Sequence, residues 1–125
     1  MNVDVSATRD YYDSITDSAL CDCGYCRNYR LQIKSALPEV TAYLDSLGID
    51  IEKPFETSPL EPDENGMLEY CGCQYIVFGN CNPEYHYRIG DVEFRVATSY
   101  PSTGIEQEHF VLELFSVQLK FVRKE

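Results

Sequence analysis

Six cysteines are the residues of this sequence whose type and spacing could do chemistry, and they fall into two groups. Cys21, Cys23 and Cys26 form a C-x-C-x-x-C cluster, and Cys71, Cys73 and Cys81 come much later in the chain. A structural zinc ion takes about four deprotonated soft ligands in a tetrahedron. Cys23 and Cys26 have the spacing that brings two thiolates to one metal from a turn. Cys71 and Cys73, two apart on an extended chain, are expected to point to one face and complete the set. Cys21, Cys23, Cys26, Cys71 and Cys73 are therefore the candidate zinc ligands. The pattern departs from a pair of C-x-x-C knuckles, since the second cluster is C-G-C with a distant Cys81. Packing is the competing reading, because cysteine is among the most buried residue types.

The tetrapeptide Cys23-Gly24-Tyr25-Cys26 admits a redox reading as well, because a thiol at a helix N-terminus has its thiolate stabilised by the amide dipoles. It resembles the active sites of thioredoxin-like oxidoreductases. That fold places a buried strand just before the motif, whereas Asp13 to Asp22 is polar with no Val- or Ile-rich run. The two histidines, His86 and His109, fall within or beside predicted strands, and no nucleophile motif lies near either. Glu56, Glu61, Asp63 and Glu64 sit among prolines and read as a solvated loop. No glycine-rich phosphate loop precedes a helix, and there is no serine elbow.

The elements that must position these residues follow from periodicity. Arg27 to Ala36 lacks Gly and Pro and carries good helix formers, which predicts a helix. Pro38 suits the first turn of a second helix, with Val40, Tyr43, Leu44 and Leu47 at helical spacing and Gly48 as its stop. The two helices should meet at a corner near Leu37. From Asp50 to Gly66, three prolines among acidic residues predict an extended surface crossing. Beyond it Tyr75 to Phe78, bounded by Gly72 and Gly79, reads as a strand. Tyr85, Tyr87 and Ile89, then Val92, Phe94 and Val96, alternate with polar residues on either side of Gly90-Asp91 and predict a hairpin. In the last run Phe110, Leu112 and Leu114 share one parity and Phe115, Val117, Leu119 and Phe121 the other, so a bulge or bend belongs near Leu114 and Phe115. Helices first and strands afterwards predict an α+β fold, with two N-terminal helices packed on a mainly antiparallel sheet.

The 125 residues fall within the range of a single domain, and 44% hydrophobic residues with ten Tyr and six Phe give enough apolar area for a core. A charge of -11, from 21 acidic and 10 basic residues, disfavours nucleic acid as a partner and would steer the chain toward a basic protein. Neither a signal-peptide pattern nor a run long enough to span a membrane is present, which leads us to expect a cytoplasmic protein with reduced cysteines.

Cys23-Gly24-Tyr25-Cys26-Arg27-Asn28-Tyr29, then Leu37-Pro38-Glu39-Val40, Leu47-Gly48-Ile49-Asp50 and Lys53-Pro54-Phe55-Glu56, resemble a family of short uncharacterised bacterial proteins with a C-x-x-C-R-N-[FY] opening. The resemblance covers most of the chain, is strongest before Gly66, and implies a bacterial cytoplasmic origin rather than an activity. Relatives have Gly or aromatic residues where Cys71 and Cys73 stand, which weakens the case for one shared metal site. Asn28 is expected to cap backbone groups near the helix start and Arg27 to pair with the acidic surface. The leading functional expectation is a non-catalytic protein-binding domain, an immunity-type role being one instance; the alternative is a cysteine-based zinc or thiol redox protein. A long C-terminal edge strand could also pair with a copy of itself.

Overall fold

A computed structural model of the chain describes residues 1–20 and 23–121. The coarse expectation of an α+β fold with an antiparallel sheet holds, but the described residues form three α-helices rather than two, and strands dominate. After β1 (Asn2–Val3), the unexpected helix α1 (Val5–Ser14) starts at Asp4, whose carboxylate accepts the Ala7 N–H at 3.0 Å. Helices α2 (Gly24–Ala36) and α3 (Pro38–Ser46) meet at Leu37, which ends one and begins the other. Pro38 opens α3, where a missing N–H costs nothing. Gly48 follows with φ +87, and a Cβ there would stand 2.6 Å from the Val5 carbonyl oxygen, so this glycine also lets α1 approach the end of α3.

The sheet is built around β3 (Met67–Asn80), a 14-residue strand that runs straight through Gly72 instead of starting after it. On one side β3 pairs with β1 and with β2 (Glu56–Pro59), so the proline-rich crossing contains a short strand. On the other side lie β6 (His109–Phe115) and β7 (Val117–Lys120) in succession. β4 (His86–Ile89) and β5 (Val92–Val96) form the expected hairpin, Ile89 opposite Val92, and β5 joins it to β6. β4 is therefore an edge of the sheet.

The parity break of the C-terminal run is present and is centred on Ser116, a non-glycine residue at φ 64. It is matched by one in β3. Pairing passes one residue for one from Cys73↔Leu114 to Tyr70↔Val117, yet Leu114 and Val117 both face the main core, as do Cys73 and Tyr70. Both strands turn over together at Cys71–Gly72 and Phe115–Ser116. On the other side β2 does not follow, and its register with β3 shifts between Thr57 and Pro59.

The main core gathers Tyr29 and Ile33 of α2 and Val40 and Leu44 of α3 with Leu68, Tyr70, Tyr75, Phe94, Leu112 and Val117 of the strands. A second cluster, Ile76, Phe78, Ala97 and Val111, is covered by Ala7, Tyr11, Phe55 and Ile105. The polar groups of the main core are connected. Tyr75 donates to the Ile51 carbonyl at 2.6 Å, so the hydrogen bond between the two hydroxyls has Tyr29 as its donor. Asn28, expected to cap the start of its helix, instead sits inside α2 and donates to the Lys120 carbonyl of β7 at 3.1 Å. Its buried amide tethers helix to strand because it would otherwise lose water without a replacement, and Gln32 adds a second donor to the same carbonyl at 2.7 Å.

Candidate functional site

Cys23 is the N-cap of α2, and its exposed Sγ accepts the Cys26 N–H at 3.4 Å. A sulfur atom thus takes the place that a Ser or Asp oxygen usually fills. Cys26 is half-buried one turn on, with its Sγ 3.6 Å from Thr57 Oγ1 of β2. Thr57 is opposite Cys73 in the β2–β3 ladder, so three of the expected cysteines lie around one junction of α2 with the sheet. They differ in state. Cys73 is fully buried, and burial pushes its thiol up to about 12.

Cys71 does not share the face of Cys73. The coordinated turn-over of the strand leaves Cys71 on the side of Glu69, with its Sγ 3.5 Å from Glu69 Oε2, while Cys73 enters the core. Burial and then the Glu69 carboxylate raise the Cys71 thiol. The same-face expectation fails because strict alternation was assumed through Gly72. Cys21 lies outside the described residues. Among the described residues, no group of three His, Cys, Asp or Glu side chains is placed to hold a metal ion.

A second feature lies at the open edge of the sheet. Tyr43 of α3 hydrogen-bonds Tyr85 through the two hydroxyls, and its ring lies 5.0 Å from that of Tyr87 and 5.1 Å from that of Phe94. Tyr87 is 44% exposed on β4. The outer side of β4 has no strand partner among the described residues, and His86, Tyr87 and Arg88 are exposed. Glu39, one turn before Tyr43 on α3, and Glu84, beside Tyr85, are exposed acids at this corner. Sequence patterning missed the corner because Tyr43 comes from a helix far along the chain from the run that carries Tyr85 and Tyr87.

Several cations are paired locally: Arg9 with Asp45 at 3.5 Å, Lys34 with Glu52 at 3.6 Å, Lys53 with Asp50 at 3.9 Å and Arg95 with Glu113 at 4.0 Å. Exposed pairs of this kind are worth about 0–1 kcal/mol, so their main effect is on the field: they leave the carboxylate excess uncompensated. Arg9, Lys34, Asp13, Asp45 and Asp50 also line a cleft of about 360 Å³ beside the helices, where the two cations offset most of the carboxylate charge. His109 binds Thr103 Oγ1 at 2.9 Å and the Gln107 carbonyl at 2.8 Å, and so organises its own loop.

No family model, curated protein or solved structure matches the chain. Among the described residues, no helix is long and apolar enough to cross a membrane.

Proposed function

We propose that this chain is a non-catalytic protein-binding domain for a basic protein, with toxin neutralisation of the immunity type as one instance. The observation that carries this reading is the Tyr43–Tyr85–Tyr87 corner, set against an open sheet edge on a chain of net charge -11. Tyrosine presents large contact area at low entropic cost, an unpaired strand offers main-chain hydrogen bonds, and the acidic field steers a cationic partner. An extended segment of the partner laid along β4 would use all three. The reading takes the setting to be a bacterial cytoplasm, as the resemblance of the N-terminal half implies.

Affinity capture tests it. A basic protein is retained at low ionic strength and released near 1 M salt, where the screening length falls to about 3 Å. Recovery of no basic protein, or capture indifferent to salt, contradicts the proposal.

A further inference from the structure

We propose that Cys23 and Cys26 form a reversible dithiol–disulfide pair that exchanges electrons with a small-molecule disulfide, Cys23 being the attacking sulfur and Cys26 the resolving one. This inference is independent of the binding role. It rests on the distinct placement of the two sulfurs. Cys23 Sγ is exposed and lies in line with a backbone N–H at the start of a 13-residue helix, where an amide donor and the aligned peptide dipoles favour negative charge on sulfur. Cys26 is on the same turn, at the i+3 position, which brings Cα atoms within the roughly 4.4–6.8 Å that a disulfide spans. Its sulfur is half-buried against Thr57 and so sheltered from a bulky reagent. The other described cysteines are placed against such chemistry: Cys73 is enclosed in the core, Cys71 faces a carboxylate, and Cys81 is partly buried. Glu61 is the nearby acid, held by a 3.2 Å hydrogen bond from Tyr25.

The chemistry balances without another reactant. The Cys23 thiolate attacks one sulfur of R–S–S–R, forming a Cys23–S–S–R bond and expelling RS⁻. Cys26 then loses its proton to solvent and attacks Cys23 Sγ, closing the Cys23–Cys26 disulfide and expelling a second RS⁻. The protein dithiol is oxidised by two electrons, and the external disulfide is reduced to two thiols once these take up the released protons.

Glutathione disulfide is the probe. The full chain is incubated with it, quenched in acid, alkylated and sequenced by fragment-ion mass spectrometry, since Cys21, Cys23 and Cys26 share a peptide. The wild-type chain is expected to lose two alkylatable thiols and gain a Cys23–Cys26 bridge. Cys26→Ser should accumulate a glutathione adduct on Cys23, at least about tenfold over any other cysteine. Cys23→Ser, which keeps an N-cap oxygen and so the helix start, should leave Cys26 unmodified. A chain that retains six alkylatable thiols, a bridge that uses Cys21, or an adduct in Cys26→Ser spread evenly over the cysteines would overturn the proposal.

Discussion

Tyr29 of α2 donates its hydroxyl hydrogen to Tyr75 of β3, and Tyr75 passes its own to the Ile51 carbonyl, so two buried phenols join a helix, a strand and a loop by one directional chain. Both rings are fully buried. Tyr75→Phe takes the donor from the Ile51 carbonyl and the acceptor from the Tyr29 hydroxyl, which is left with the Cys73 sulfur, and a buried group that loses its partner costs about 1–3 kcal/mol. We expect Tyr75→Phe to destabilise by about 2 kcal/mol, and Tyr29→Phe with Tyr75→Phe together to cost less than the sum of the single changes. Urea unfolding of the four proteins measures both; strict additivity would show that the hydroxyls act separately.

Alkaline pH should unfold the protein in one step. Burial raises Tyr12, Tyr29 and Tyr75 well above the usual 10.0, and holds Tyr70 and the Cys73 thiol at about 12. In the unfolded chain these groups release protons near their ordinary values, so above about pH 9 the unfolded state binds fewer protons than the native one and stability falls. The contribution is complete below that pH and is lost as pH rises toward the folded values, by about 1.4 kcal/mol per pH unit for each group in the window. Phenolate absorbance of the buried tyrosines should therefore appear together with loss of circular dichroism. Their ionisation in a still-folded protein would refute this.

Ser116 occupies a backbone conformation that L-residues avoid at a cost of about 1–2 kcal/mol, at the place where β6 gives way to β7. Ser116→Gly should leave stability unchanged or slightly higher, and Ser116→Val should lower it by about 1–2 kcal/mol. Thermal melts of both variants decide whether the turn-over of the paired strands depends on this residue.

Asn28→Ala should cost about 1 kcal/mol, because it removes a buried amide that donates to the Lys120 carbonyl and accepts from Gln32, while Gln32 keeps its own 2.7 Å bond to that carbonyl. Hydrogen exchange in β7 should accelerate with it. Unchanged protection there would mean that apolar packing alone holds that strand.

Much of the fold was legible from local chemistry. The Leu37 corner followed from Pro38, the stop at Gly48 from its position after Leu47, and the hairpin from two alternating runs around Gly90-Asp91. What escaped was whatever broke a period. α1 carries Asp10, Asp13 and the adjacent pair Tyr11 and Tyr12, which pack toward both clusters and so blur a single apolar face. β3 changes parity at Cys71–Gly72, which concealed its N-terminal half and made Cys71 and Cys73 look like neighbours on one face. β2 was hidden by Pro59, tolerable at the end of an outer strand. At the candidate site, the sequence marked Cys23 and Cys26 as a pair. It could not disclose Thr57 or the tyrosine corner, because those contacts exist only once distant segments meet.

The most direct test of the binding role is site-specific photo-crosslinking, with benzoylphenylalanine replacing Tyr87 on the open edge or, as a control, the exposed Leu31 of α2. A binding domain of this kind should give a crosslink from the Tyr87 position to a basic protein at low salt, lose it at high salt, and give none from the Leu31 position. Equal crosslinking from both positions, or none from the Tyr87 position while the partner is still captured, would contradict it.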